Sequence, residues 1–350
     1  MSDQKNDKIL EVKNLKVSYH TYAGEVKSVR GVSFDLKEGE AIAIVGESGC
    51  GKSVTAKSIM GLIKGPQGEI KQGSEILYHG DNILNYNKKQ WQAYKGGEVA
   101  IIFQDALASL NPTMRVGKQI MENLMAHKHM TKDEAKKEAV RMLQKVGIPE
   151  PEKRVRQYPH EFSGGMRQRV VIAIAVACRP QILICDEPTT ALDVTIQAQI
   201  LELIRNLQAE YHMSVIYITH DLGVVANVAD RVAVMYAGQI VEVGKVDEIF
   251  YDARHPYTWA LLSALPQLGV KGEALPTIDG TPPNLFNKIK GDAFAPRNRQ
   301  ALAIDFEEEP PYFEVSETHK AKTWYLDPRA PKIEPPKSVQ QLRQKMRAHK

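Results

Sequence analysis

Apolar positions along this chain follow two periods, and the switches between them outline its elements. Alternating, β-branched stretches at Ile9–Ser18 and Val29–Leu36 predict two strands, joined by the glycine-containing segment His20–Glu25. Continuous apolar runs at Ala41–Val45, Val99–Phe103, Gln181–Cys185 and Ser214–Thr219 are of strand length and predict buried strands. Short strands are expected around Glu69–Leu77, after the chain breaks at Gly65-Pro66-Gln67-Gly68. Helical spacing fills the intervals. A helix is predicted over Val54–Ile63, a second from Ser163 through about Cys178, and a third over Val194–Glu210 with Ile196, Ile200, Leu203, Ile204 and Leu207 on its apolar side. Thr131-Lys132-Asp133-Glu134 is a capping-box start for Ala135, Ala139, Met142, Leu143 and Val146, and Gly147 is placed to stop that helix. Arg231–Tyr236 and Gln239–Val243 predict a hairpin around Ala237-Gly238.

Buried strands alternating with helices indicate an α/β core. The charged helical texture from Pro112 to about Gln157 reads as an insertion into it. Beyond Phe250 proline becomes frequent and no long period is kept, so residues 251–327 are expected to be a small loop-rich extension and residues 328–350 a Pro-rich basic tail, helical from Ser338 onward. The 350 residues, 43% apolar, can bury a substantial core. The longest apolar run, Val170–Cys178, is far short of the ~20 residues that span a bilayer. The N-terminus, Met1–Lys8, is polar and has no signal-like apolar centre, which predicts a soluble protein that stays in the cytosol. Three unpaired-looking cysteines, Cys50, Cys178 and Cys185, suit a reducing compartment. The net charge of +4 is small, but Arg329–Lys350 holds seven Lys/Arg against Glu334 alone. That run reads as a solvated terminus in preference to a lipid- or RNA-binding arm.

The chemistry centres on Gly46-Glu47-Ser48-Gly49-Cys50-Gly51-Lys52-Ser53, which fits the phosphate-loop pattern G-x-x-x-x-G-K-[ST] between a predicted strand and the helix that begins at Val54. Backbone N–H groups of such a loop wrap a phosphate, and the helix N-terminus adds a favourable field. Lys52 would reach the β- and γ-phosphates of a nucleoside triphosphate, and the Ser53 hydroxyl would ligate Mg²⁺. The strand ending in Asp186-Glu187 supplies a carboxylate for the metal shell, Asp186, and one to orient or deprotonate water, Glu187. Gln104 closes the Val99–Phe103 run, where it can reach a metal-bound water, and His220 closes the strand after the acidic one. Ser163-Gly164-Gly165 opens a helix as a second anion-binding candidate. Tyr19 or Tyr22 could stack on an adenine or be an ordinary half-buried ring.

In this order, the phosphate loop, Gln104, Ser163-Gly164-Gly165, Asp186-Glu187, Leu192-Asp193 and His220 resemble the ATPase subunits of ABC transporters over about residues 8–250. The resemblance implies a P-loop NTPase core with an antiparallel β subdomain and a helical subdomain at about 105–165. It implies that Ser163, Gly164, Gly165 and Met166 form the signature loop, here FSGGM, which departs from LSGGQ at Phe162 and Met166. Thr190–Asp193 would be the D-loop, His220 the switch histidine and Tyr19 the adenine-stacking aromatic. Two ATPase chains would pair head to tail, so that Ser163 and Gly165 act on the partner's ATP. His255-Pro256-Tyr257-Thr258, Ala260–Pro266, Gly280-Thr281-Pro282-Pro283 and Phe294-Ala295-Pro296-Arg297 resemble the C-terminal extension of oligopeptide and dipeptide importer ATPases. That branch implies a second, paralogous ATPase, two membrane-spanning permeases, an extracellular peptide-binding protein, and a place on the cytoplasmic face of the membrane. The alternatives are a soluble ABC ATPase acting on nucleic acid or ribosomes, or an importer of another solute such as nickel. No nucleic-acid partner is expected. Many such extensions carry an iron–sulfur cluster on four cysteines; here the matching positions hold Asp292, Asn298 and Thr323, and no cysteine follows Cys185. A cluster-free extension is expected, held by Leu285, Phe286, Phe294, Tyr312, Phe313 and Trp324.

Overall fold

The computed structural model describes residues 7–190, 192–265 and 278–348. The polar start of the chain, Ala191 in the expected D-loop, Pro266 and Lys350 lie outside the described residues.

Two long strands, β1 (Lys8–Thr21) and β2 (Gly24–Lys37), form an antiparallel ribbon through a turn at Tyr22-Ala23, tighter than the expected connection. β4 (Gly68–Ile70), β5 (Glu75–Tyr78) and β6 (Asp81–Asn82) complete this antiparallel sheet. β3 (Ala41–Val45) starts the second sheet and leads through the glycine-rich loop into α1 (Lys52–Ile59). α2 (Lys88–Ala93) precedes β7 (Val99–Ile102). A helical segment follows: α3 (Ala106–Ser109), α4 (Val116–Lys128), α5 (Lys132–Lys145) and α6 (Pro151–Arg154). The expected capping box is made, with Thr131 N–H donating to Glu134 Oε2 (2.8 Å) and Glu134 N–H to Thr131 Oγ1 (3.4 Å).

α7 (Gly164–Val176), β8 (Ile182–Asp186), α8 (Val194–Tyr211), β9 (Ser214–Thr219), α9 (Leu222–Val228), β10 (Arg231–Tyr236) and β11 (Gln239–Lys245) return the chain to the second sheet. α10 (Val246–Tyr251), α11 (Pro256–Ser263), β12 (Phe313–Glu314), β13 (Lys320–Ala321) and α12 (Lys337–Ala348) complete it. The sheet order is β12-β13-β11-β10-β3-β9-β8-β7, parallel from β10 to β7. Because helices cover one face and the antiparallel sheet the other, its central strands are apolar on both sides. Ala43 and Val45 face the helical core, Ile42 and Ile44 the core shared with β1 and β2.

The C-terminal extension enters the main core instead of building one of its own. Tyr257, Trp259, Leu262, Phe294 and Val339 are buried in the cluster that holds Val45 and Val234. Of the six expected anchors, Phe294 is buried and Leu285 half-buried against that core, but Phe286 is 41% and Tyr312 42% exposed. The basic tail is docked: Val339 is fully buried, and Arg343 Nη2 donates to Ala253 O (2.6 Å). The charge pattern predicts a solvated terminus, but Val339, Leu342, the Arg343 guanidinium and a Ser263–Ser338 hydroxyl pair (2.8 Å) seat the helix.

At the junction Glu242 is fully buried and accepts from the N–H groups of Arg254 (2.6 Å) and His255 (3.1 Å) and pairs with His319 Nε2 (2.8 Å), so its desolvation is compensated. His255 caps α11, its Nδ1 accepting from Tyr257 N–H (3.0 Å). Its Nε2 lies 3.8 Å from Asp292 Oδ2 and makes no hydrogen bond. Burial pushes the His255 pKa down to about 4, with Glu242 opposing and Lys322 adding to the shift. The unfolded chain therefore takes the proton first, and folding stability is lost as pH falls from ~6.5 to about 4. His255→Asn keeps the cap acceptor and removes the titration. It should be less stable than wild type at pH 7, through lost packing, yet lose about 3 kcal/mol less between those limits. Denaturant unfolding across pH measures this, and parallel pH profiles would refute it.

Candidate active site

The C-terminal ends of four parallel strands meet at one edge. Val45 lies beside Thr219, Asp186 beside Ile218 and Ile102 beside Cys185, so the segments that follow β3, β9, β8 and β7 converge there. They enclose a cavity of about 770 Å³ lined by Gly46, Glu47, Ser48, Gly49, Gly51, Lys52, Ser53, Val54, Gln104, Glu187 and His220, with Ser28 and Leu261 at its rim. That size suits a nucleotide-scale ligand. Cys50 is the one loop residue not on this wall; it is buried, and burial raises its thiol pKa, so it packs instead of reacting.

Two of the loop's three glycines are sterically required. A Cβ on Gly46 would lie 2.1 Å from Met235 O; one on Gly51, at φ +109°, would lie 2.6 Å from Ser28 O. The first bond inside α1 runs from Thr55 N–H to Gly51 O, so the N–H groups of Lys52, Ser53 and Val54 precede the helical ladder at the cavity wall. α1 thus begins two residues before its expected start, because the loop itself winds into the helix. Lys52 is buried, and its Nζ donates to Gly46 O (2.7 Å) and Glu47 O (3.0 Å). A polyphosphate would exchange those carbonyls for anionic oxygens.

Ser53 Oγ donates to Asp186 Oδ1 (2.9 Å). Burial raises the Asp186 pKa, Ser53 opposes the shift and neighbouring Glu187 adds to it. A buried carboxylate so strained toward its neutral form suits a nearby cation. Ser53 and the exposed amide of Gln104 line the cavity and Asp186 is bonded to Ser53, so the set is hydroxyl, carboxylate and amide oxygen, the hard donors that Mg²⁺ takes. Glu187 follows in the left-handed region, φ +49°, a conformation a non-glycine residue adopts only when its surroundings impose it. Its N–H donates to Ile218 O (2.9 Å), and its carboxylate is gripped by Thr190 Oγ1 at 2.9 Å, with His220 Nδ1 3.4 Å away. The carboxylate is thereby aimed into the cavity beside the loop.

Other candidates stand elsewhere. Tyr19, expected against adenine, does not line the cavity: it pairs with Val26 and Gly68 across its sheet, and its ring lies against Gly68. Tyr22 is fully exposed at the β1–β2 turn. Ser163, Gly164, Gly165 and Met166 are also absent from the wall. Ser163 is exposed and caps α7, its Oγ accepting from Met166 N–H (3.4 Å); Asp193 is exposed and caps α8, accepting from Ile196 N–H (2.9 Å). Two residues that do grip the loop went unassigned from sequence, Tyr257 and Arg297. Both sit in stretches noted for family resemblance, but nothing in local spacing ties them to a loop more than 200 residues earlier. Asp292, Asn298 and Thr323 do not fit an iron–sulfur cluster. Asp292 Oδ1 accepts from Phe294 N–H (2.9 Å), Asn298 Nδ2 donates to Tyr325 Oη (2.7 Å), and Thr323 Oγ1 accepts from Tyr325 N–H (3.3 Å). Oxygen and amide groups already bonded in this way are poor substitutes for thiolates.

Comparison with known proteins agrees with this arrangement. Residues 29–190 match the ABC transporter family, and residues 241–304 match the C-terminal region of oligopeptide/dipeptide transporters. The oligopeptide transport ATP-binding protein OppD of Bacillus subtilis is 61% identical over 97% of this chain and 95% of its own length. The dipeptide transport ATP-binding protein DppD of Lactococcus lactis is 59% identical over 95% of each. A dimeric ATP-binding cassette solved in a post-hydrolysis state with ADP and Pi superposes with a TM-score of 0.60 at 26% identity, covering 68% of this chain and 98% of that one. A phosphate loop, an acidic strand end and a glutamate held by threonine at one sheet edge, together with these near full-length matches, place the chain in the ATP-binding protein family of ABC transporters, in the branch that carries the oligopeptide/dipeptide C-terminal region.

Proposed function

We propose that the chain is the ATP-hydrolysing, energy-coupling subunit of a membrane importer for oligopeptides. The observation that supports ATP hydrolysis is the Ser53–Asp186 hydrogen bond beside Lys52 and Glu187 at one edge, and the near full-length similarity to oligopeptide and dipeptide transport ATP-binding proteins supports the transport role. Mg²⁺ entering with ATP would neutralise charge on the β- and γ-phosphates, held by Ser53, Asp186 and Gln104. Lys52 supplies the point counter-charge, and Glu187 orients the attacking water and takes its proton. His220 and Thr190 hold that carboxylate in place, and Gln104 carries the state of the site toward the helical segment.

Ser163–Met166 lie off this chain's own cavity, which supports a site shared by two head-to-tail ATPase chains. ATP then shifts the open–closed equilibrium by its difference in affinity for the two states, and hydrolysis removes that difference. Among the described residues no helix is long and apolar enough to cross a membrane. Similarity to oligopeptide and dipeptide transport ATP-binding proteins supports a complex with two permease subunits, an extracellular peptide-binding protein and a second, paralogous ATPase, with this chain at the cytoplasmic face. Purifying the complex from membranes, identifying its chains and measuring peptide-stimulated ATP hydrolysis tests the assignment. Recovery with ribosomes and without permeases would overturn it.

The shared site makes a separate prediction. Ser163→Ala removes a helix cap, costing about 1 kcal/mol of stability. ATP affinity of the isolated chain should stay as it is, while the assembled ATPase slows roughly a hundredfold through the loss of one transition-state donor. Loss of ATP affinity in the isolated chain would count against the shared geometry.

A further inference from the structure

We propose that Arg297, in the C-terminal extension, is a positioning residue for the phosphate loop, fixing Glu47 and cancelling its charge so that the loop accepts a polyphosphate. The inference rests on the ATPase reading of the site and deepens it. Glu47 is the second residue of the loop and contributes to the cavity wall, so its charge lies close to where phosphate oxygens would bind. An unpaired anion there would repel the ligand. Arg297 reaches it from 250 positions away with both arms of its fork: Nη1 to Oε2 at 2.5 Å and Nη2 to Oε1 at 3.0 Å. Such a bidentate pair fixes orientation as well as charge.

The guanidinium is itself locked. Its side chain is 4% exposed. Nε donates to Asp279 O (2.8 Å), Nη1 also to Tyr236 Oη (3.2 Å), and Nη2 contacts Gly280 O at 3.4 Å. The rings of Tyr236 and Phe294 flank it at 5.8 and 5.9 Å. A second grip comes from α11, where fully buried Tyr257 accepts Glu47 N–H through its hydroxyl oxygen (2.8 Å). Lys52 holds the Glu47 carbonyl from the other side (3.0 Å). Glu47 is thus tied at its N–H, its carbonyl and its carboxylate. When a polyphosphate takes Lys52 away, the two ties from the extension remain, beside a long bond from Cys50 N–H to the Glu47 carbonyl (3.4 Å). The extension reaches the chemistry through this loop residue and through Leu261 on the cavity lining, and the shape of the ATP cradle depends on how it is seated.

The test is a charge-rescue cycle on the full chain, with ATP and ADP affinities read by titration and folding by thermal unfolding. Arg297→Met should weaken ATP about tenfold or more and ADP less, because the exposed Glu47 charge repels the longer polyphosphate more strongly. Adding Glu47→Gln to Arg297→Met should return ATP affinity to within about threefold of wild type. Glu47→Gln alone, which leaves a net cation beside the phosphates, should bind ATP at least as tightly as wild type; this arm stands even where Arg297→Met fails to fold. Unchanged ATP affinity in folded Arg297→Met, a double variant as weak as the single, or weakened ATP binding in Glu47→Gln would each overturn the assignment. A wild-type chain that binds no ATP would instead overturn the ATPase reading itself.

Discussion

Glu187→Gln in the assembled complex should bind ATP about as well as wild type and hydrolyse it 10²–10⁴-fold more slowly, the span general-base catalysis ordinarily covers. The amide preserves size and can still accept from Thr190 Oγ1, which grips the carboxylate at 2.9 Å, so the left-handed backbone at this position need not relax. What disappears is the proton acceptor. Binding energy that closes the two ATPase chains would then never be released, and the variant should accumulate as a closed, ATP-loaded dimer. Single-turnover hydrolysis and size-exclusion chromatography with ATP measure the two consequences. Hydrolysis within a few-fold of wild type would remove Glu187 from the base role. Loss of both binding and hydrolysis would indicate that the carboxylate supports the loop instead.

Lys52→Ala should fail one step earlier, at binding. Lys52 is 5% exposed, and its ammonium is bonded to two loop carbonyls, Gly46 O and Glu47 O, so it is held in place before a ligand arrives. Its removal takes charge-assisted bonds to the phosphates, each worth about 1.5–3 kcal/mol. ATP affinity should fall roughly a hundredfold or more, at about 1.4 kcal/mol per tenfold. The two carbonyls lose their donor as well, but the cavity beside them is open to water, so the folded chain should persist. Titration with a fluorescent ATP analogue, paired with circular dichroism, separates the two effects. A folded Lys52→Ala chain with wild-type affinity would contradict the loop assignment.

Much of this could be read in the residues, for reasons that differ by element. Ala41–Val45 and Ser214–Thr219 match their expected bounds because strands buried on both faces are apolar throughout and end abruptly at polar turns. The capping box at Thr131 was legible because its signal spans four residues. The gathering at strand ends was legible too: the ends of β3, β7, β8 and β9 carry the loop, Gln104, Glu187 and His220 to one cavity, with Asp186 bonded to Ser53 of the loop. What the extension does was not. Arg297 and Tyr257 meet the loop through packing alone, β12 and β13 are two residues each and too short to show a period, and Tyr19 sits where strand pairing puts it. Contacts between distant segments leave no local trace in composition or spacing.

The hairpin of β12 and β13 also bears on how the protein is made. β13 pairs with the outer side of β11, Glu242 opposite Ala321 and Val243 opposite Lys320. As the ribosome delivers the chain, β11 emerges some 75 residues before its neighbour. At about 5–20 residues per second the interval lasts roughly 4–15 s. Throughout it, the nascent nucleotide-binding core presents the bare rim of a largely parallel sheet, the kind of template on which strands of other chains add. A two-residue strand that looks negligible in the finished molecule is therefore the piece that closes this rim. Polypeptides that stall or are cut before residue 320 should be those that cells most need to shield or degrade.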